Sequence, residues 1–287
     1  MQYNSEWKDF EVLATGSGEK LERWKEVLLL RPDPQVIWPA QKNLKNTQNL
    51  NAHYIRESTG GGHWEIQKKF PESWNVSWRN LTFKIMPMGF KHTGLFPEQA
   101  VNWAKMIDLI QNANRPIKVL NLFAYTGGAT VACASAGANV VHVDAAKGMV
   151  ERAKENLKLS GLQDAGVRFI VDDCKKFVER EIRRGNFYDA IIMDPPSYGR
   201  GPNGEVWKIE NNIFEFAQLC FKVLSKNPLF VLINSYTTGL QPTVMKNILK
   251  LASKKEKITF KNIEAYEVGL PTKEDIILPC GASALAY

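Results

Sequence analysis

No run of eighteen apolar residues occurs anywhere in the 287-residue chain, so no segment reads as a membrane-spanning helix. The first residues, MQYNSEWKDFE, lack both a basic n-region and an apolar h-region, which argues against a secretory signal and for a cytoplasmic protein. Cysteine is scarce: Cys133, Cys174, Cys220 and Cys280 stand far apart with no C-x-x-C pair. That spacing argues against a zinc site or a dense disulfide framework, and the thiols are expected to be reduced. No internal repeat or low-complexity tract is present. The charge balance is not neutral, with Lys plus Arg exceeding Asp plus Glu by 37 − 30 = +7. Such a balance is compatible with a polyanionic partner. The densest basic stretch, MKNILKLASKKEKITFK (245–261), reads equally as an RNA contact or as the solvated face of a surface helix.

What is present has the composition of an ordinary globular protein, 44% hydrophobic and 23% charged, and is long enough for a standard domain beside a smaller one. From residue 117 onward, short β-branched runs alternate with helix-length segments. The runs are IKVLNLF, NVVHV, VRFIV, YDAIIM and LFVLIN, and the helical segments span 128–136, 147–160, 175–184, 212–225 and 243–252. Strands alternating with helices predict a mainly parallel sheet covered on both faces. ITFKNIEAYEV and the terminal SALAY read as two further strands, giving the sheet a partly antiparallel end.

The first ninety residues behave differently. Pieces such as FEVLA, HWEIQK and LTFKIM are broken by GSGE, RPDP, TGGG and FPES, which predicts a small β-rich module over 1–90 and an α/β domain over 91–287. Six of the eight tryptophans (Trp7, Trp24, Trp38, Trp64, Trp74, Trp78) fall in this module. Core packing explains them better than base stacking, because a small module needs large side chains to bury enough area. A helix is expected over 97–111, with Pro97 in its first turn.

Directly after the first strand of the α/β region comes NLFAYTGGATVAC. Gly127 and Gly128 at a strand-to-helix turn permit close backbone approach to a ligand, and Asp144 ends the next strand. In an open parallel sheet, ligands sit beyond the carboxyl ends of the strands, so loop and acid would face one nucleoside. The G-x-G-x-x-G spacing that admits a pyrophosphate is missing, and Tyr125 and Thr126 fill the loop instead. A ligand without phosphates suits it better than a dinucleotide.

With these residues in order, the chain resembles the class I S-adenosylmethionine-dependent methyltransferases, which implies a Rossmann-like sheet and S-adenosylmethionine as cofactor. The resemblance implies that Phe123, Ala124, Tyr125, Thr126 and Gly127 wrap the methionine part of the cofactor. It implies that Asp144, with Ala145 following it, meets the ribose. A later acid, matched by Asp173 or by its neighbour Asp172, would take the adenine amino group, and the N–H of Cys174 an adenine ring nitrogen. A closer resemblance, over roughly 85–287, is to bacterial large-subunit ribosomal RNA methyltransferases acting on cytosine C5 or guanine N7. It is carried by HTGLFPEQ, NLFAYTGG, AKENLKLSGL, DPPSYGRG and LPCGASA. In such proteins the segment holding Phe96 and Gln99 lies over the cofactor. The N-terminal PUA domain of several relatives is not evident.

The stretch FYDAIIMDPPSYGRG then acquires a meaning. Asp194 and the Pro195 carbonyl are pure hydrogen-bond acceptors, and Pro196 removes an N–H that would need a partner. At a strand end beside the cofactor loop they could hold a nucleobase nitrogen while its lone pair faces the methyl group, as a clamp for a flipped base. Adenine amino methylases usually place an aromatic residue directly after the prolines. Here Ser197 stands there, with Tyr198 one place later. Attack through cytosine C5 demands a thiolate, yet INSYTTG (233–239) and Ser197 occupy the expected cysteine positions, and Cys220 and Cys280 read as structural. The expectation is therefore a nitrogen acceptor on RNA, most naturally ribosomal RNA. A small-molecule or protein acceptor and a catalytically silent RNA-binding scaffold are the alternatives. GRGPNGEVWKIE (199–210) reads as a mobile loop beside the site.

Overall fold

The computed structural model describes residues 1–287 except 58–60, 88, 90, 201–205 and 238, and the side chain of Arg200. Part of TGGG and of GRGPNGEVWKIE, and one residue of INSYTTG, thus lie outside the described residues. The chain divides into two compact units, one of Tyr3–Ala100 with Gly269–Cys280, the other of Met1–Gln2, Val101–Val268 and Gly281–Tyr287. The boundary expected after residue 90 falls within the first of these.

In the first unit, β1 (Phe10–Gly16), β2 (Glu19–Trp24), β3 (Val27–Pro32), β4 (Ala52–Arg56) and β5 (Gly62–Ile66) form one sheet in chain order. β6 (Trp74–Trp78) and β7 (Leu81–Ile85) make a separate hairpin. Ser17 and Gly18, with φ of 53° and 82°, close β1 onto β2 as a two-residue turn whose twist matches the strands. None of the six tryptophans of this region is exposed, and Trp24 and Trp78 are sealed at 0%. β2 and β3 escape a sequence reading because they bury charge. Glu22 is fully buried and accepts two hydrogen bonds from Arg31, at 2.7 and 2.8 Å, and one from the Trp24 indole at 3.1 Å. Arg31 pulls the Glu22 carboxyl below its usual range against the opposing effect of burial. Its Nη1 also donates to the Lys91 carbonyl at 2.8 Å, anchoring the chain just ahead of HTGLFPEQ. The expected helix at 97–111 opens as a 3-10 turn, Pro97–Gln99, and continues as α1 (Ala100–Asn112).

In the second unit the alternation is β8 (Lys118–Leu122), α2 (Gly128–Ser135), β9 (Asn139–Asp144), α3 (Lys147–Leu159), β10 (Val167–Val171), α4 (Cys174–Arg184) and β11 (Ala190–Met193). A short hairpin follows, β12 (Tyr198–Arg200) with β13 (Val206–Lys208), then α5 (Ile209–Phe221), β14 (Phe230–Ser235) and α6 (Pro242–Glu256). β15 (Ile263–Pro271) and β16 (Ile277–Ala286) end the chain. The seven-stranded sheet runs β10-β9-β8-β11-β14-β16-β15. The first five of these strands pair in parallel, while β14 pairs antiparallel with β16. The α/β sheet with an antiparallel end expected from the sequence is therefore present.

Two local expectations are corrected. Ile258, Thr259 and Phe260 stay outside β15, and the stretch expected as a loop at 199–210 contains β12 and β13 and opens α5. α6 buries Met245, Ile248, Leu249 and Ala252 and exposes Lys246, Lys250, Lys254 and Lys255, so its lysines are a solvated helix face. Among the described residues no helix is long and apolar enough to cross a membrane.

A polar chain runs through the core beneath the α2 end of the sheet: Asn121 Nδ2 donates to Thr130 Oγ1 at 2.9 Å, which lies 2.9 Å from His142 Nδ1. Burial pushes His142 down to about 3, and His92 in the other unit down to about 4. Between those values and the unfolded pKa near 6.5, the unfolded chain binds protons that the native state refuses. Stability from these groups is therefore full above about pH 6.5 and falls on acidification, by up to about 1.4 kcal/mol per pH unit for each histidine. His142→Gln should flatten the dependence of urea midpoint on pH between 6.5 and 4.5. An unchanged slope would locate the acid sensitivity elsewhere.

Candidate active site

The parallel register brings the strands' carboxyl ends to one edge: Leu122 pairs with Val143 and Met193, Met193 with Ile233, and Asp144 with Val171. Phe123, Asp144, Asp172 and Asp194 each follow or close one of these strands, so the acids dispersed in sequence emerge along a single line.

The loop after β8 bends sharply. Phe123, Tyr125 and Gly127 all adopt left-handed conformations, with φ of 56°, 50° and 82°. For the two non-glycine residues this costs roughly 1–2 kcal/mol each, so surrounding contacts must hold it. Phe123 N–H donates to the Cys174 thiol sulfur at 3.2 Å, Ala124 N–H to the Val143 carbonyl at 3.1 Å, and Tyr125 N–H to Asp144 Oδ2 at 2.8 Å. Asn156, from α3, donates to the Thr126 carbonyl at 2.8 Å. The glycine pair has a packing reason beyond ligand access. A Cβ at Gly127 would stand 2.8 Å from the Ala153 Cβ, and one at Gly128 would stand 2.6 Å from the ring of Trp103.

Asp144 receives Tyr125 N–H on one oxygen and Ala146 N–H on the other, at 2.8 and 2.9 Å, and Ala145 between them is exposed. Asp172 and Asp173 differ in their engagements. Asp172 is half-buried and ion-paired with Arg180, and it accepts Asp173 N–H at 2.8 Å. Asp173 is exposed and caps α4 by accepting Lys176 N–H at 2.8 Å. Cys174 had no assigned role for its thiol in the sequence. Its buried sulfur props the loop after β8, and burial raises its pKa. Burial likewise pushes Cys133 up to about 12 and Cys220 upward. These buried thiols are held protonated and are not nucleophiles.

Asp194 follows β11, half-buried, with its N–H 3.4 Å from the Leu122 carbonyl. Pro195 is buried, whereas Pro196 and Ser197 are exposed. Three contacts fix this segment: the Trp207 indole N–H donates to the Pro196 carbonyl at 2.7 Å, Ile209 N–H to the Ser197 carbonyl at 3.1 Å, and the Thr237 hydroxyl to Ser197 Oγ at 2.5 Å. Sequence reasoning places Trp207 only in the 199–210 loop beside the site, with Arg200 and Lys208, and does not single out Thr237. Tyr198 is exposed on β12 opposite Lys208. Phe96 and Gln99 belong to the first unit, where Gln99 is buried and its N–H donates to the Phe96 carbonyl at 3.1 Å.

The profile of the S-adenosylmethionine-dependent methyltransferases matches residues 36–212, more than half of the chain. The chain belongs to this family. Over 215 residues, covering 74% of this methyltransferase, it is 29% identical to the ribosomal RNA large subunit methyltransferase K/L of Shewanella frigidimarina. That alignment covers 28% of the relative, so the chain spans about a quarter of its length. A crystal structure of a SAM-dependent methyltransferase from Agrobacterium tumefaciens superposes with a TM-score of 0.89 at 32% identity, covering 99% of this chain and 92% of that one. SMU.776, solved in complex with SAH, superposes at 0.76 with 19% identity, covering 99% and 76%, a likeness of fold alone.

Gly127→Ala combines a left-handed φ with the Ala153 clash and should cost about 1–3 kcal/mol. In thermal denaturation the methyltransferase should lose several degrees, and the upward Tm shift given by S-adenosylhomocysteine should shrink. An unchanged Tm and an unchanged ligand shift would show that the loop does not need this glycine.

Proposed function

We propose that the chain transfers a methyl group from S-adenosylmethionine to a nitrogen of an RNA base, with ribosomal RNA as the substrate. The observation that carries this reading is the Asp194-Pro195-Pro196 segment at the end of β11, on the same sheet edge as Asp144 and the strained loop, with no ionisable thiol beside it. The donor set fits the cofactor. Asp144 holds two backbone N–H groups, yet a carboxylate has about four acceptor positions, which leaves two for ribose hydroxyls. Asp173 is exposed and uses one oxygen as a helix cap, so the other suits the adenine amino group, with the Cys174 N–H beside it. Phe123, Ala124, Tyr125, Thr126 and Gly127 turn their backbone toward the methionine part.

The cofactor supplies an electrophilic methyl group on a sulfonium, so the protein has mainly to orient the acceptor and take up its hydrogen bonds. Asp194 and the Pro195 carbonyl accept from the base, aligning its nitrogen lone pair, while Tyr198 offers an aromatic edge nearby. A base nitrogen needs no covalent activation, and the buried, protonated thiols of Cys174 and Cys220 offer none, which favours nitrogen over cytosine C5. The net charge of +7 and the similarity to the Shewanella ribosomal RNA large subunit methyltransferase K/L support RNA as the acceptor. A ribosomal RNA substrate also entails a cytoplasmic location.

Labelled S-adenosylmethionine incubated with undermethylated ribosomes should give methylated RNA, and activity should fall steeply with added salt. Transfer only to a small molecule or protein, or no heat on titrating the cofactor, would reject the proposal. Asp194→Ala should lower transfer at least about 100-fold while leaving the S-adenosylhomocysteine Kd within about twofold. Asp144→Ala should instead weaken the cofactor by about 100-fold, the loss of a charge-assisted ribose contact. Full turnover in Asp194→Ala would remove the acceptor clamp.

A further inference from the structure

Two consecutive prolines have no backbone N–H to donate, so beyond the Asp194 N–H, which meets the Leu122 carbonyl at 3.4 Å, Asp194-Pro195-Pro196 can be fixed from outside only through its carbonyls and side chains. The hairpin that follows supplies such a hold. In an antiparallel pair, residues directly opposite share a face. Tyr198 stands opposite Lys208 and Gly199 opposite Trp207, so Trp207 and Gly199 share the face away from the exposed Tyr198 and Lys208. Gly199 lies against Pro196 and Trp207, where a Cβ would make ordinary van der Waals contact with both at 3.8 Å.

The Trp207 indole has two separate engagements. Its N–H donates to the Pro196 carbonyl at 2.7 Å. Its ring lies 5.4 Å from the ring of Phe123 and 5.7 Å from that of Phe216, which are themselves 5.4 Å apart, a three-ring cluster of edge and tilted contacts. Phe123 is the first left-handed residue of the loop, with φ of 56°, and its strain has to be met by packing. One side chain therefore touches the acceptor segment through a hydrogen bond and the cofactor loop through a ring face.

We propose that Trp207 is a positioning residue for methyl transfer, fixing the acceptor segment through its indole N–H and supporting the cofactor loop through its ring. The inference rests on the reading of this sheet edge as the methyl-transfer site. An acceptor displaced by about 1 Å can lose on the order of a hundredfold in rate, so the hydrogen bond acts on kcat and the ring on cofactor affinity.

Trp207→Phe keeps a ring and removes the N–H; Trp207→Leu removes both. With undermethylated ribosomes, Trp207→Phe should lower kcat about tenfold while KM for RNA and the calorimetric Kd for S-adenosylhomocysteine stay within about twofold, because only the carbonyl anchor is lost. Trp207→Leu should lower kcat at least as far and also weaken S-adenosylhomocysteine about fivefold, as Phe123 loses its aromatic neighbour. Wild-type kcat in Trp207→Phe, or equal cofactor losses in the two variants, would overturn the proposal. If Trp207 variants do not fold, Phe123→Leu provides the complementary test. It should weaken S-adenosylhomocysteine about fivefold, and an unchanged affinity would overturn the ring's role. The affinity measurements need no acceptor, so a wild-type enzyme inactive on RNA would defeat the substrate reading while leaving the Trp207–Phe123 contact separately decidable.

Discussion

Left-handed backbone at Phe123, Tyr125 and Gly127 is the constraint on which the candidate site depends. Only one of these is glycine, so the turn persists because its neighbours outweigh the cost. Those neighbours come from five elements that follow in the chain: Val143 and Asp144 on β9, Asn156 on α3, Cys174 on α4, Trp207 on β13 and Phe216 on α5. The loop is thus a readout of whether the sheet around it has assembled correctly. A side chain such as Cys174, buried and chemically inert, serves the site by geometry alone.

Opposite the loop stands a segment of contrary character. The loop spends its backbone donors on its own supports, Phe123 N–H on Cys174, Ala124 N–H on Val143 and Tyr125 N–H on Asp144, while Asp194-Pro195-Pro196 carries acceptors and is stiffened by its rings. What the two share is their place on one sheet edge. That shared edge arises from the parallel register, which delivers β8, β9, β10 and β11 to one line.

Much of this was legible in the amino-acid sequence because buried parallel strands write themselves as uninterrupted apolar runs. Within YDAIIM, AIIM is β11, and within LFVLIN, FVLIN opens β14, with every residue of both buried. The acids at strand ends could be located for the same reason. What stayed hidden depended on partners distant in the chain. β2 and β3 carry Glu22 and Arg31, whose charges look solvent-facing until their mutual pairing is seen. Trp207 sits in a glycine-rich stretch that has no apolar periodicity, and its contacts run to a carbonyl eleven residues earlier and to the ring of Phe123. Thr237 reaches Ser197 across forty positions, and no local pattern encodes that contact.

The first unit has a further property with consequences for biogenesis. Its strand β1 is completed by a segment near the other end of the chain: Glu274 accepts from both the N–H and the hydroxyl of Thr15, 259 positions away, and Lys273 pairs with Glu11. During synthesis at about 5–20 residues per second, those bonds are unavailable for roughly ten seconds or more after Thr15 is made. The nascent sheet must wait with one margin unsealed while the intervening unit is translated. Completion of the N-terminal module is thereby a late event, timed by the ribosome's arrival at the far side of the sequence.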